Sequence, residues 1–251
     1  MSQVDKAIRL GELHAKGTPL VLYNAWDAGS AKAIADAGAQ AIATSSWSVA
    51  EAQGYRDGEG MAFEAVAQIV GRIVATVDVP VTADFEGGYT DDDVALADNI
   101  SHLLDLGIVG VNFEDRVVDG SGLHGIDRQV ARIAAIREAA EKKGIPLFIN
   151  ARTDLFLGQG NDPASTIGEA LDRARAYAAA GASGFFVPGL VEDALIARIC
   201  DGVSLPVNVM AMDGVPANDR LAEIGVARIS YGATPYVNAM GLVGQEAGRL
   251  Y

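Results

Sequence analysis

Carboxylates stand at the ends of two short apolar segments of the chain. Residues 81–85 are apolar and partly β-branched, and Asp84 lies near the end of that run, while residues 110–113 are followed at once by Glu114. Short apolar runs of this kind predict buried strands. A carboxylate at the end of a core strand must be paired, hydrogen-bonded or metal-bound, because burying a bare charge is too costly.

Neighbouring strands would bring Asp84 and Glu114 to the same edge of a sheet, where the two charges repel unless a cation or a proton lies between them. We therefore predict a site for a hard divalent cation, Mg2+ or alternatively Mn2+. A buried ion network with Arg116 or Arg152 is the alternative to a metal.

Arg152 closes another predicted strand, at residues 146–152. Its planar guanidinium can hold a substrate carboxylate or phosphonate with two parallel hydrogen bonds. A salt bridge to Asp154 or Glu114 is the alternative use of this side chain.

The connection after Glu114 is rich in glycine, at positions 120, 122 and 125, and it contains His124. This composition is typical of a mobile lid over a site, and also of a plain surface loop. His124 is the candidate for proton transfer at this edge, since His14 and His102 fall in predicted helices.

Apolar runs and helical segments alternate along the whole chain. The predicted strands are 20–24, 41–44, 81–85, 110–113, 146–152, 184–188, 205–210 and 228–231, with a turn at 45–47. The predicted helices are 3–16, 28–37, 63–77, 91–106, 128–143, 166–180, 192–200 and 217–225, and the tail 234–250 forms a last helix. Eight strands alternating with helices predict an α/β fold with a parallel sheet, and eight is the number that closes a (β/α)8 TIM barrel.

A doubly wound open sheet is the second possibility, but the segment after the first strand, residues 23–27, has no glycine fingerprint. In a barrel the carboxyl ends of all the strands face one rim, where active sites are built. That predicted rim collects Asn24, Asp27, Ser45, Ser46, Trp47, Asp84, Glu86, Glu114, Asp115, Arg152, Asp154, Asn208, Ser230 and Tyr231.

Length and charge limit the classes of function. A chain of 251 residues suits one barrel domain spanning residues 1–251, and a net charge of −14 disfavours binding to nucleic acid. The sequence shows no signal peptide and no run long enough to cross a membrane, so we expect a cytoplasmic protein without a membrane partner. Cys200 lies in an amphipathic helical run and is expected to be a buried structural thiol.

Some enzyme classes lack their required residues. All lysines fall in or beside predicted helices, so no strand supplies one for a Schiff base. The sequence also lacks the motifs of serine hydrolases, P-loop proteins and zinc proteases.

Several strand ends together resemble one known family. They are Tyr23-Asn24-Ala25-Trp26-Asp27, Ala83-Asp84, Phe113-Glu114-Asp115 and Asn150-Ala151-Arg152-Thr153-Asp154. On these motifs the chain resembles the isocitrate lyase / phosphoenolpyruvate mutase superfamily, and the resemblance covers nearly the whole barrel.

The resemblance implies roles for the residues at matching positions. Ser45, Ser46 and Trp47 match the segment that grips the substrate carboxylate, and Arg152 matches the arginine that holds the substrate. Asp57 matches an aspartate that reaches the metal through water. Asp84 and Glu114 match the acidic metal shell.

Two departures from the family pattern bear on the chemistry. Thr82 replaces the first acid of the usual Asp-Ala-Asp, and Glu86 is the candidate to compensate as a metal ligand. Lyases of the family carry Lys-[Lys/Arg]-Cys-Gly-His in the lid, whereas ungapped counting from Glu114 gives Gly120-Ser121-Gly122-Leu123-His124. The cysteine that serves as general acid or base is absent, and so is the lysine and asparagine pattern of the phosphonate mutases.

We therefore expect a Mg2+-dependent lyase that breaks a C–C bond of a small anionic 2-oxo or 2-hydroxy (di)carboxylic acid through a metal-stabilised enolate. Decarboxylation of an oxaloacetate-like acid fits the missing cysteine best, while retro-aldol or retro-Claisen cleavage requires proton transfer by His124 or Tyr231. Asn208 completes the predicted substrate-binding residues.

Two other functions stay open. One is P–C bond chemistry, as phosphonopyruvate mutase or hydrolase, and the other is a non-catalytic barrel that binds a 2-oxo acid. Relatives in the family exchange a C-terminal helix between subunits, so we also expect a homodimer or homotetramer, with helix 234–250 packed on its own barrel or on a neighbour.

Overall fold

The computed structural model describes residues 1–117, 120–158 and 162–251. In this part of the chain strands alternate with helices. The strands are β1 (Leu20–Leu22), β2 (Ile42–Ala43), β3 (Val81–Asp84), β4 (Gly110–Glu114), β5 (Phe148–Arg152), β6 (Gly184–Phe186), β7 (Val207–Met210) and β8 (Arg228–Ser230). The helices are α1 (Gln3–Leu13), α2 (Ala28–Asp36), α3 (Ser46–Ala52), α4 (Phe63–Thr76), α5 (Asp93–Asp105), α6 (Ile126–Lys142), α7 (Pro163–Ala179), α8 (Asp193–Gly202), α9 (Asn218–Glu223) and α10 (Thr234–Gly248).

The strands form one parallel sheet in the order β1-β8-β7-β6-β5-β4-β3-β2. The two ends of this order meet just beyond β1 and β2, at a parallel bridge between Ala25 and Thr44. There the Ala25 amide donates to the Ala43 carbonyl at 2.8 Å, and the Ser45 amide donates to the Ala25 carbonyl at 3.2 Å. The sheet therefore closes almost completely, which confirms the predicted (β/α)8 barrel.

Helix α1 covers the amino-terminal end of the barrel. Leu10 of α1 approaches β4 so closely that a Cβ on Gly110 would lie 2.7 Å from its side chain, so a larger residue there would force Leu10 to shift. His14, just after α1, is buried and stacks on Phe148 with 3.8 Å between the ring centroids. This end is sealed by side chains, which leaves the opposite rim for a site.

Helix α3 lies where the sequence predicts only a turn, at residues 45–47. Ser45 is its N-cap, and the Ser45 hydroxyl accepts a hydrogen bond from the Ser48 amide. Two serines next to a tryptophan suggest a turn, yet a serine can equally cap the start of a helix. The short helix places the Ser46 amide at the barrel rim.

Helix α10 packs little of its surface against its own barrel. Among its residues Pro235 is buried, whereas Val237, Met240, Leu242 and Val243 are 40–59% exposed. Tyr236 is its aromatic contact with the rim, edge-on to Trp26 and Trp47. The helix thus begins at the rim and presents apolar side chains outward.

None of the helices in the described ranges is long and apolar enough to cross a membrane. Cys200 is buried, as expected, and burial raises the pKa of its thiol to about 11. This thiol therefore stays protonated at neutral pH.

Candidate active site

Asp84, at the end of β3, is held by the start of α3. The backbone amide and the hydroxyl of Ser46 both donate to Asp84 Oδ2, at 3.1 and 3.0 Å. Asp84 Oδ1 is buried and has no hydrogen-bond partner among the described residues. One oxygen of this carboxylate is fixed in place and the other is free to bind a ligand.

Asp57 lies beside the same Ser46 hydroxyl that donates to Asp84. Ser46 Oγ lies 3.1 Å from Asp57 Oδ1 as well as near Asp84, but a hydroxyl has a single hydrogen to donate. Burial raises the pKa of Asp57, and the charge of Asp84 raises it further. Without a cation the pair is therefore best satisfied when Asp57 carries a proton and donates it to Ser46.

Glu86, beyond β3, turns its carboxylate toward the neighbouring loop. Its oxygens accept from the Glu59 amide and from the Tyr89 hydroxyl, both at 2.7 Å. Burial raises the pKa of Glu86 to about 7, with a second contribution from Asp84. Glu59, Glu86 and Tyr89 all have positive φ, at 61°, 49° and 63°, a strained conformation that clusters at functional sites.

Arg152, at the end of β5, bridges two carboxylates. Its Nη1 lies 2.9 Å from Glu114 Oε2, and its Nε and Nη2 donate to the two oxygens of Asp154 at 2.6 and 3.0 Å. Both partners named as the alternative therefore bind it, and N–H groups remain for a ligand, because a guanidinium has five. Burial raises the pKa of Glu114 well above its usual value, although Arg152 opposes that shift.

The predicted metal ligands thus lie near one another at the rim, but they do not form a complete cage. Within the described ranges no three Asp, Glu, His or Cys side chains come close enough to hold a metal ion by themselves. Mg2+ is commonly bound through one or two carboxylates and several waters. The free, buried oxygen of Asp84, surrounded by other acids, fits such an ion.

A cavity of about 720 Å3 opens beside Arg152. Its lining residues are Asp57, Arg116, Gly122, Leu123, Arg152, Asp154, Leu155, Leu157, Gly158, Glu169 and Arg173. It is large enough for a small acid, and it borders on the acidic cluster through Asp57.

The candidate lid begins as a hairpin. Arg116 and Leu123 form an antiparallel bridge, and the Val117 amide donates to the Gly122 carbonyl at 3.1 Å; residues 118–119 lie outside the described residues. His124 Nε2 is 3.5 Å from Asp91 Oδ1, and burial lowers the pKa of this histidine. His124 lines a smaller cavity of about 60 Å3 on the other side of Arg116, so its side chain is apart from Arg152.

A buried cluster behind the lid has no counterpart in the sequence prediction. Asp115 is fully buried and accepts from the Asp154 amide at 3.0 Å, from Arg173 at 3.0 Å and from the Tyr177 hydroxyl at 2.9 Å. Arg173 also donates to the His124 carbonyl at 3.0 Å. The cluster ties the base of the lid to the loop that follows Arg152. The four-residue spacing of Arg173 and Tyr177 indicates that they share one face of a helix, but it does not indicate that their common partner is Asp115.

The remaining predicted residues are dispersed along the rim. Ser45 is buried as the cap of α3, and Trp47 packs edge-on against Tyr236. Asn208 is buried, with its Nδ2 3.3 Å from Ser230 Oγ, and the Tyr231 hydroxyl accepts from Asn218 at 3.4 Å. Neither Asn208 nor Tyr231 lines the cavity beside Arg152.

Comparison with known proteins gives consistent matches. Residues 10–251 match the family described as phosphoenolpyruvate phosphomutase. The chain is 36% identical over 226 residues to uncharacterized protein MT2054 of Mycobacterium tuberculosis, covering 90% of this chain and 82% of that protein. It is 31% identical over 231 residues to the Corynebacterium glutamicum protein named "Probable 2-methylisocitrate lyase 2", covering 87% and 72%. A candidate phosphonomutase from Burkholderia cenocepacia J2315 has a solved structure with 43% identity, a TM-score of 0.96 and coverage of 100% of both chains.

Proposed function

Since the chain belongs to the phosphoenolpyruvate phosphomutase family, within the isocitrate lyase / phosphoenolpyruvate mutase superfamily, we propose that it is a Mg2+-dependent lyase of small 2-oxo or 2-hydroxy acids. Relatives in this family carry names of lyases and of mutases. The observation that carries the proposal is the free oxygen of Asp84 beside an arginine that faces a cavity.

Asp84 would bind the ion directly, and Asp57, Glu86 and Glu114 would hold its water ligands. The bound ion would supply a Lewis acid that polarises the substrate's oxo group. The raised pKa values of Asp57 and Glu86 support this arrangement, because acids that repel one another favour the arrival of a cation.

Arg152 would bind the substrate carboxylate with the N–H groups that Glu114 and Asp154 leave unused. Its two carboxylate partners fix the plane of the guanidinium, so the substrate is oriented on binding. Arg116, Gly122 and Leu123 line the cavity and would help to exclude water from the reacting bond.

Decarboxylation is the reaction that we favour, because loss of CO2 requires an electron sink more than a proton donor in the lid. His124 faces Asp91, and Tyr231 bonds to Asn218, so neither is aimed at the cavity beside Arg152. A retro-aldol or retro-Claisen cleavage would require one of them to move.

P–C bond chemistry is the second candidate, and the Burkholderia relative and the family description favour it. A barrel that binds a 2-oxo acid without turnover is the third. Substrate turnover separates all three functions.

We also propose that the protein is a homo-oligomer, a dimer or tetramer. The exposed apolar residues of α10 support this, because such a surface is commonly buried against another subunit.

The test is a turnover screen of the purified protein with oxaloacetate, 2-methylisocitrate, isocitrate, dimethylmalate and phosphonopyruvate, with and without EDTA. Release of CO2 or cleavage of a C–C bond that EDTA abolishes would support the lyase. Turnover of phosphonopyruvate alone would replace it with P–C chemistry. Thermal stabilisation by a 2-oxo acid without any turnover would favour the binding protein.

A further inference from the structure

Three arginines line the 720 Å3 cavity, and they differ in how they are paired. Arg152 is bound by Glu114 and Asp154, and Arg173 is bound by Asp115 and Glu169. The side chain of Arg116 makes no ion pair or hydrogen bond with any residue in the described ranges, although it lines the same cavity. Of these three arginines, Arg116 can therefore use all of its N–H groups to bind an anion.

The backbone on which Arg116 stands is well fixed. The preceding residue, Asp115, donates its amide to the Arg152 carbonyl at 3.1 Å, and its carbonyl accepts from the His124 amide at 2.7 Å. Arg116 itself forms the bridge with Leu123 that opens the hairpin. Arg116 thus lies directly after the residue that joins β4 to Arg152, close to Arg152 in the fold.

The guanidinium of Arg116 reaches across to the loop that carries Asp57. A Cβ built on Gly58 would lie 4.0 Å from Arg116 Nη1, so the charged group is beside this loop. It also lines the smaller cavity of His124, which places it in the wall between the two cavities. A ligand held at Arg152 would therefore have its far end near Arg116.

The hairpin offers no other strong cation. Between Arg116 and His124 the sequence contains no lysine and no second arginine. The other charged side chains in the described lining of the cavity are the acids Asp57, Asp154 and Glu169 and the already paired Arg152 and Arg173, so they offer a carboxylate or phosphonate at the far end of a ligand little attraction. Arg116 is the residue that supplies that attraction.

We propose that Arg116 determines specificity by binding a second anionic group of the substrate, so that the site prefers a dicarboxylic acid over the matching monocarboxylic acid. The inference rests on the proposed function, since it takes the first carboxylate to be bound at Arg152. It identifies the residue that recognises the far end of the substrate and the charge required there.

L-Malate and L-lactate provide the test, because both are 2-hydroxy acids and malate has the additional carboxylate. Their affinities are measured by calorimetry in Mg2+ for the wild type, Arg116→Gln and Arg116→Lys. Arg198→Gln is the matched control, because Arg198 is an exposed arginine on α8, away from the cavity. Circular dichroism melts confirm that the variants fold.

We expect the wild type to bind malate at least ~10-fold more tightly than lactate, and Arg116→Gln to remove that difference by weakening malate binding alone. Arg116→Lys should restore part of the preference, because it keeps the charge without the planar fork. Arg198→Gln should behave as the wild type.

The inference is overturned if the wild type binds neither acid or does not distinguish them. It is also overturned if Arg116→Gln weakens both acids equally or leaves the preference unchanged. This binding assay is independent of the turnover screen. A lost preference in Arg116→Gln without turnover of any acid would support Arg116 and refute the lyase, whereas turnover with an unchanged preference would do the reverse.

Discussion

Ser46 donates both its backbone amide and its hydroxyl to one oxygen of Asp84, and thereby leaves the other oxygen of that carboxylate buried without a partner in the described part of the chain. An unpaired, buried carboxylate oxygen is costly and requires a reason. Binding of a cation at that oxygen would provide one.

Replacement of Asp84 by asparagine tests this arrangement. The amide oxygen of the new side chain can still accept from Ser46, but the charge is lost, so we expect Mg2+ affinity and kcat/KM to fall by more than ~100-fold. Calorimetry with Mg2+ measures the first, and the turnover assay measures the second. The exposed Asp78→Asn is the control. Wild-type activity in Asp84→Asn would remove Asp84 from the mechanism.

The raised pKa of Glu86 predicts how the metal-free protein responds to pH. The folded protein holds the Glu86 proton up to about pH 7, whereas the unfolded chain releases it near pH 4.5. The free energy of unfolding therefore declines as the pH rises through this window, and Glu86→Gln should remove about 1–3 kcal/mol of that decline. Urea unfolding in EDTA at several pH values measures it. The exposed Glu64→Gln should change nothing, and an equal pH slope in wild type and Glu86→Gln would contradict the prediction.

His14 should have the opposite effect to Glu86 on how stability depends on pH. Burial lowers the pKa of His14 to about 3 from 6.5, with the charge of Arg228 as the next cause, so the folded state keeps the ring neutral while the unfolded chain takes up a proton. Stability is then lost as the pH falls below 6.5. Between pH 7 and pH 5 we expect this histidine to account for about 2 kcal/mol, a loss that His14→Gln would not show. The exposed His102→Gln should lose stability between pH 7 and pH 5 as the wild type does. If His102→Gln does not show this loss, the effect does not come from His14.

The Asp115 cluster should be important for stability and for the lid. Arg173→Met leaves a fully buried carboxylate without its cation, so we expect a loss of about 3–5 kcal/mol in the free energy of unfolding. Tyr177→Phe removes one hydrogen bond and should cost about 1–2 kcal/mol. Chemical denaturation measures both. Arg175→Met, on the exposed side of the same helix, should be neutral; equal losses at Arg173 and Arg175 would refute a special role for the cluster.

A charge on α10 tests the proposed oligomer. Val243 is 59% exposed and apolar, and an aspartate there would be buried without a partner if another subunit covers the helix. We expect Val243→Asp to dissociate the oligomer, as measured by light scattering after size-exclusion chromatography. Asn238→Asp adds the same charge at an exposed polar position of the same helix. A wild type that is monomeric at all concentrations would end the proposal.

Strand ends are predictable from the sequence because their residues carry local signals. Asp84, Glu114 and Arg152 each end a short apolar run, and the barrel brings them to one rim as expected. The pairing of Asp115 with Arg173 is not predictable in this way, since the two are 58 residues apart and belong to different elements.

The direction in which a side chain points is also not predictable from the sequence. The place of His124 in the lid is visible in the sequence, but its contact with Asp91 depends on how the hairpin folds back. Helix α3 escapes prediction for a related reason, since Ser45 can begin a turn or a helix with the same hydrogen bond.

The bridge between Ala25 and Thr44 joins the two ends of the sheet with far fewer backbone hydrogen bonds than the long ladder between β4 and β5. Ser45 and Ser46 directly follow this bridge. Ser46, which donates to Asp84, therefore lies where the barrel has the fewest hydrogen bonds between neighbouring strands. Local opening should cost the least free energy there. In hydrogen exchange, we expect the amides of Ala25 and Ser45 to exchange before those of β4 and β5, and bound ligand to slow them most.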